Sequence, residues 1–194
     1  MIQYEFDLNG VSAEEALDRM HLSLMQESDR GIFIVAAALI EDLMGALLEW
    51  QLKKYESDSK VKKDYLRMVR TYHARMTACH ALGLIPKEIY DDLVLIKNIR
   101  NRVAHNYSHF SLEDVKEEIL CLGGAHSAKY MVETLALPVE GSVKNSDEEL
   151  EPFAKFVFSI SVSELVFYLS APIRGIDVSD HKDFLKKRSE SVGI

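Results

Sequence analysis

The stretch from Ile32 to Ile40 contains no charged or hydrogen-bonding side chain. A helix with this sequence is apolar around its whole circumference, so other elements must cover it on every side. We therefore expect a central buried helix that begins at Ser28 or Asp29 and ends near Tyr55. The chain of 194 residues is 47% hydrophobic, which is enough to surround that helix with a sizeable core.

Capping residues and apolar periodicity predict further helices. Ser12 with Glu15 forms a capping box, Ser111 with Asp114 can cap a later helix, and Gly83 is a usual helix stop. The predicted helices cover about residues 13–26, 28–55, 60–82, 86–105, 111–122 and 146–170. Together they predict an all-α, single-domain helical bundle over residues 1–194, with four or five core helices built on the second and the fourth.

The sequence becomes less regular after residue 122. Prolines and glycines between residues 123 and 150 favour loops, so we expect an irregular insertion before the last long helix. Ser146 and Glu149 are suited to cap that helix, although its Val and Ile content leaves a strand open as an alternative. The C-terminal part, residues 123–194, is therefore harder to interpret than residues 12–122.

The fourth predicted helix carries a charge on its apolar stripe. Steps of 4, 3, 4 and 3 residues connect Ile89, Leu93, Ile96, Arg100 and Val103, which is the spacing of one helical face. Because an unpaired buried charge is very costly, we expect Arg100 to be mostly buried and paired with a carboxylate from Asp29, Glu41 or Asp42. Losing one partner of such a pair would cost about 3–5 kcal/mol.

The polar residues of the same helix resemble a known motif. The segment Arg100–His105 fits the R-N-x-x-x-H motif of HEPN-type helical domains, many of which are ribonucleases or derived from them. In a catalytic interpretation His105 would transfer a proton at the ribose 2′-oxygen or the leaving oxygen, and Arg100 would hold the phosphate. Five helical residues place Arg100 and His105 roughly 140° apart, so this would need a second copy across a dimer or unwinding near His105.

A wider pattern resembles the mannitol operon repressor (MltR) family. Three segments occur in the order expected for it, and they lie within residues 12–122: Glu27–Gly31, Ala81–Ile85 and Leu95–His105. The resemblance implies an all-helical cytoplasmic protein that regulates through contacts, without a well-defined catalytic set.

Two classes of function follow from these resemblances. The first is a non-enzymatic regulatory or neutralising protein that binds another protein. It would be either an MltR-like regulator that controls transcription indirectly or an acidic immunity or antitoxin protein that blocks a basic nuclease toxin. The alternative is a HEPN-type, metal-independent ribonuclease with Arg100, Asn101 and His105 as its catalytic residues. In either class of function, the protein could form a homodimer.

The candidate binding residues comprise that motif and the start of the second helix: Arg100, Asn101, His105, Asp29 and Arg30. Asp29 suits a helix N-cap and the positive end of the helix dipole. Arg30 places a positive charge at the same positive end of the helix, so we expect it to have an acidic partner from another element. The histidine spacings His105/His109 and His73/His80 offer no third ligand, so we expect no metal and no cofactor.

Charge and hydropathy limit the remaining possibilities. The formal charge of −8 opposes a simple nucleic-acid binder, although eight Lys or Arg stand against three acids between Lys53 and Arg75. Two cysteines are too few for a disulfide framework. The N-terminus carries the acids Glu5 and Asp7 and lacks an apolar core of signal-peptide length. The run Ile32–Ile40 is shorter than the about 20 residues that span a bilayer. We expect a soluble, reduced, cytoplasmic protein without a membrane partner.

We predict that the purified protein binds DNA at most weakly and without sequence preference, through the stretch from Lys53 to Arg75. The helix that follows Gly83 begins with three acids, which would repel phosphates from a recognition helix: Glu88, Asp91 and Asp92. Fluorescence anisotropy with a labelled duplex at rising salt measures this binding, because phosphate contacts weaken steeply with salt. Tight, sequence-specific binding at physiological salt would contradict the prediction.

Overall fold

The computed structural model describes residues 13–105, 110–124 and 150–175 of the chain. Its α-helices are α1 (Ala13–Gln26), α2 (Asp29–Lys53), α3 (Ser59–Met68), α4 (Tyr72–Ala81), α5 (Lys87–His105), α6 (Lys116–Leu120) and α7 (Leu150–Ser170). A 3₁₀ turn, Leu112–Val115, leads directly into α6. No strand occurs among the described residues, which confirms the predicted all-α fold. The strand alternative for α7 is wrong.

Helix α2 is the central element of the bundle, as its apolar sequence predicts. The expectation that other elements cover it on every side is wrong, because Ile34 is 41% exposed. The helix packs against α1, α3, α4, α5 and α7. Phe33 is fully buried, and its ring meets the rings of Phe110 and Phe158 at steep angles, with centroids 5.6 and 4.5 Å away. Burying a side chain of this size contributes about 1.5–3 kcal/mol. Ala36 and Ala37 are buried in the same core, where their small side chains let neighbouring helices come close.

Helix α2 begins at Asp29 because Ser28 caps it. Ser28 Oγ accepts a hydrogen bond from the Gly31 amide at 3.0 Å, which satisfies one of the free amides of the first turn. Asp29 is therefore the first helical residue and not the N-cap. Its carboxylate lies 3.5 Å from Lys155 Nζ, so it connects the start of α2 to α7.

The single helix predicted over residues 60–82 is wrong, because the structure divides it into α3 and α4. Thr71 has an extended backbone (φ −91°, ψ 153°), and its hydroxyl accepts a hydrogen bond from the Ala74 amide at 3.3 Å. This cap starts a new helix. At the other end of α4, Gly83 has a positive φ of 67°, which confirms the predicted glycine stop.

Helix α7 packs against α2, α1 and α6, and it carries buried hydroxyl groups. Each buried serine donates to a carbonyl about one turn earlier, at 2.8 to 2.9 Å: Ser159, Ser161 and Ser163. Such local bonds satisfy a hydroxyl that water cannot reach.

Another buried polar group connects α5 to the end of α6. The Asp92 carboxylate of α5 accepts from the Gly123 amide at 3.0 Å, and Asp92 is only 6% exposed. Of the three acids expected to repel phosphates at the start of this helix, Asp92 is therefore buried. A buried carboxylate needs such donors, because an unsatisfied charge in the core is costly.

Cys79 of α4 is buried against α2, with its Sγ 3.8 Å from the Met44 carbonyl. Burial raises the pKa of the Cys79 thiol to about 12, and the nearby Arg75 only partly opposes this. The thiol is therefore protonated and unreactive at neutral pH while the fold is intact. Cys121 is exposed, so protection of Cys79 from a thiol reagent reports on the folded core.

Within the described residues, two helices are long and apolar enough to cross a membrane by length and composition alone: α2 and the Phe153–Ser170 part of α7. Within their apolar windows, 50% of the α2 residues and 67% of the α7 residues are buried inside the bundle. Buried core helices pass the same test, so this is weak evidence for a membrane span.

Part of the predicted organisation lies outside the described residues. This applies to the Ser12 cap, to the irregular insertion at residues 125–149 and to the cap formed by Ser146 and Glu149. The helix predicted over residues 111–122 begins as the 3₁₀ turn. There the Ser111 amide donates to Asp114 Oδ2 at 3.0 Å, as the predicted cap requires.

We predict that Gly124→Ala strongly destabilises the protein. A Cβ atom at this position would lie 2.4 Å from Ser161 Cα and 2.7 Å from Ser161 N. Because these are backbone atoms, α7 itself would have to move, and overpacking of this kind costs roughly 1–3 kcal/mol or more. Urea unfolding measures the loss. Ser161→Ala removes only the hydroxyl, so recovery of stability in the double variant would contradict a backbone clash.

Candidate functional site

An open cleft of about 430 Å³ lies between the α3–α4 junction and α5. Its lining combines Glu41 of α2, the junction from Arg70 to His73, and three residues of α5: Lys97, Arg100 and Asn101. We call this the basic cleft. Two of the candidate residues predicted from the sequence, Arg100 and Asn101, meet here, so the cleft is the candidate functional site.

Tyr72 fixes the α4 wall of the basic cleft. Its side chain is 6% exposed, and its hydroxyl donates to the Leu93 carbonyl of α5 at 3.2 Å. Burial raises the pKa of Tyr72 far above its ordinary value, the Glu41 carboxylate raises it further, and the Arg100 guanidinium opposes the rise. Tyr72 is therefore a neutral donor near two opposite charges, and its hydrogen bond holds α4 against α5.

Arg100 is partly buried at the edge of the cleft, not mostly buried in the core. Its Nη1 donates to Asn101 Oδ1 at 3.3 Å, and no carboxylate of the described residues forms an ion pair with it within 4.0 Å. The predicted pairing of Arg100 with Asp29, Glu41 or Asp42 is wrong. The apolar stripe of α5 continues instead through Ile99, which is 1% exposed and follows Ile96 by a three-residue step.

Arg75 of α4 makes the contacts with α2 that the sequence predicts for Arg100. Its Nη1 donates to the Glu41 carbonyl at 2.7 Å and lies 3.7 Å from Asp42 Oδ1. The guanidinium rests on Gly45, where a Cβ would come within 2.9 Å of Arg75 Cζ. The glycine inside α2 is the sequence signal for this close contact. Arg75 thus forms its hydrogen bond with the backbone of Glu41, and the Glu41 carboxylate is available to the cleft.

The basic cleft has more positive charge than its one carboxylate can balance. Arg70, Lys97 and Arg100 line it together with Glu41. Within the described part of the chain, neither Arg70 nor Lys97 has an ion pair or a side-chain hydrogen bond. Some cations outside the cleft lining do reach carboxylates within 4.0 Å, as do Arg75, Arg102 and Lys155. A concave surface with excess positive charge attracts anions, even on a chain of net charge −8.

His105 does not line the basic cleft. It is exposed and is the last residue of α5, where the helix dipole favours a cation. Five residues separate it from Arg100, which corresponds to about 7.5 Å along the axis and roughly 140° around it. The helix therefore separates His105 from Arg100, whereas Asn101, four residues before His105, lies on the same face as His105. The histidine of the cleft is His73, at the start of α4, and the motif gave no signal for it.

Asp29 and Arg30, the remaining candidate binding residues, lie at the start of α2, whereas the cleft residue Glu41 lies near the middle of this helix. Twelve residues separate Asp29 from Glu41, which is about 18 Å along a helix. Asp29 pairs with Lys155 of α7, and Arg30 is partly buried at the same end of α2. The five candidate residues therefore do not form one site.

Other histidines of the described residues have structural contacts. His21 Nδ1 lies 2.8 Å from Ser159 Oγ, but Ser159 is fully buried, so an external substrate cannot reach this hydroxyl. His80 Nδ1 lies 3.1 Å from the Ile85 carbonyl, and its ring packs against Tyr90. Among the described residues, no group of three or more His, Cys, Asp or Glu could hold a metal ion.

No protein-family model, curated protein or solved structure matches this chain. The resemblances to the MltR family and to HEPN-type domains therefore rest on the sequence motifs.

We predict that Arg100→Ala leaves the free energy of unfolding within about 0.5 kcal/mol of the wild type, because a partly exposed side chain without an ion pair contributes little. Tyr72→Phe, which removes a buried hydroxyl that donates to Leu93, should cost about 1 kcal/mol. Urea unfolding measures both. A loss of about 3 kcal/mol or more in Arg100→Ala would instead indicate a buried ion pair.

Proposed function

We propose that this protein is a non-enzymatic regulatory protein that acts by binding a partner protein, and that the basic cleft holds an acidic group of that partner. The observation that carries the proposal is the unbalanced charge of Arg70, Lys97 and Arg100. Guanidinium and ammonium groups that converge in a cleft are suited to bind carboxylate or phosphate groups. The resemblance to the MltR family, whose members regulate through contacts, supports the same class of function.

A transcriptional regulator fits the cleft better than an immunity or antitoxin protein. A protein that neutralises a basic nuclease needs an acidic binding surface, whereas the cleft is basic. The negative charge of the 3₁₀ turn and α6 is partly balanced by cations of the same chain. Glu118 pairs with Arg102, and Glu113 lies 3.1 Å from Lys116 Nζ. By binding an acidic group of another cytoplasmic regulator, the protein would control transcription without contacting DNA.

The geometry supports binding better than catalysis. A general acid or base must lie within hydrogen-bond reach of the proton that it transfers, and His105 lies outside the cleft that Arg100 and Asn101 line. Catalysis by this motif would require a second copy or a different histidine.

One observation favours a second candidate, a HEPN-type, metal-independent ribonuclease. Arg100 and Asn101 lie in an open, basic cleft that His73 also lines, and an RNA phosphate there could accept a bidentate pair of hydrogen bonds from Arg100. In this alternative, His73 or the His105 of a second copy would take the proton of the ribose 2′-hydroxyl.

We predict that the purified full-length protein leaves labelled RNA uncut. We further predict that a strain lacking the gene regains its normal transcript levels with the wild type or with His105→Ala, but not with Lys97→Glu. The last variant reverses one charge in the cleft and therefore repels the acidic group of the partner. Lys63→Glu is the matched control, because it makes the same change of charge at an exposed position of α3 outside the cleft.

Two results would contradict this proposal. RNA cleavage that is lost in His105→Ala or in His73→Ala would favour the ribonuclease. Full complementation by Lys97→Glu would show that the cleft does not hold the partner. In each variant, protection of Cys79 from a thiol reagent, compared with the exposed Cys121, confirms that the core is folded.

A further inference from the structure

We infer that the basic cleft binds a phosphate monoester, the group carried by a phosphorylated side chain or by a small phosphorylated molecule. This rests on the proposed function and specifies the acidic group that the cleft holds. Charge balance is the first argument. The lining has three cationic side chains against one carboxylate, and a phosphate monoester carries a charge of about −1.5 to −2 at pH 7. A single carboxylate would balance only about half of the excess.

The cations lie on two walls of the cleft, which favours a tetrahedral anion. Arg100 and Asn101 lie three and four residues after Lys97, so α5 presents both of them beside Lys97. Arg70 belongs to the junction on the opposite wall. The oxygens of a phosphate point in several directions and can accept from both walls, whereas a planar carboxylate is suited to one guanidinium.

The start of α4 adds backbone donors to the junction wall. The Thr71 hydroxyl accepts from the Ala74 amide, and the earlier amides of Tyr72 and His73 have no carbonyl within the ten-residue helix to accept from them. Free amides and the positive end of the helix dipole both favour an anion at this place. They support the cationic side chains, which are the main basis of the inference.

The size of the cleft and the position of Glu41 favour a monoester over a nucleic acid. A volume of about 430 Å³ falls in the range of small-molecule sites, about 300–1,000 Å³, so it leaves room for the group that carries the phosphate. The Glu41 carboxylate can accept a hydrogen bond from a hydroxyl or an amide of that group. A nucleic-acid strand would bring further phosphates against Glu41 and against a chain of net charge −8.

Calorimetric titration of the full-length protein at constant ionic strength tests the inference. The probes are a phosphoserine peptide and glucose 6-phosphate, each compared with its unphosphorylated form. We expect binding of a phosphorylated probe and none of its counterpart. Tighter binding of the peptide identifies a side chain of the partner protein as the source of the phosphate, and tighter binding of the sugar identifies a small molecule.

Two cleft variants and one control locate the binding. Lys97→Gln and Arg100→Gln should each weaken binding of the phosphorylated probe by about tenfold or more, as expected when a charged hydrogen bond is lost. Lys63→Gln, which removes a cation outside the cleft, should leave the affinity unchanged. Protection of Cys79 shows which variants are folded, and either of the two cleft variants suffices for the test.

Three results would overturn the inference: no binding of either phosphorylated probe at millimolar concentration, unchanged affinity in the folded cleft variants, or tighter binding of an RNA or DNA oligonucleotide than of both monoesters. The proposed function fails independently. If Lys97→Glu still restores regulation while Lys97→Gln loses phosphate binding, the monoester site stands and the regulatory role of the cleft does not. If Lys97→Glu abolishes regulation but no monoester binds, the regulatory role stands and the ligand class is wrong.

Discussion

Most of the surface of helix α2 is apolar, and the need to cover it determines where the other helices lie. Near its start, Phe33 packs against Phe158 of α7. Further along, the carbonyl of Met44 lies beside Cys79 of α4, and Gly45 allows the Arg75 guanidinium to rest on the backbone. These contacts bring α4 against α2, and α5 packs against both. The walls of the basic cleft are therefore positioned by the same burial that stabilises the core.

Local chemistry makes several helix limits predictable. Ser28 can be recognised as a cap for α2, and Gly83 as the stop of α4. The break between α3 and α4 escapes the same reasoning because the apolar pattern continues across it at steps of 4, 3, 4 and 3: Tyr65, Val69, Tyr72, Met76 and Cys79. Periodicity cannot distinguish one helix from two that present the same face. Thr71 was the local signal for the break, but threonine also occurs inside helices.

Arg100 illustrates why a correct helix can still give a wrong side-chain environment. From Ile96, a step of three residues reaches Ile99 and a step of four reaches Arg100, and both steps fit a helical stripe. The structure buries Ile99 and leaves Arg100 at the edge. Whether Ile99 or Arg100 is buried depends on how α5 packs against α2 in the tertiary structure. Two of the three carboxylates proposed as partners of Arg100 pair with other cations, Asp42 with Arg75 and Asp29 with Lys155.

The candidate site depends on the break that periodicity does not reveal. An uninterrupted helix through residues 60–82 would give its backbone amides to intrahelical bonds and would have no helix start beside α5. Ending α3 at Met68 and restarting at Tyr72 places Arg70 and the first amides of α4 opposite Arg100. The charge on Arg100 then needs no carboxylate in the core, because it faces an open cleft. The sequence motif identified two residues of this site, Arg100 and Asn101. The opposite wall can be recognised only from the tertiary structure.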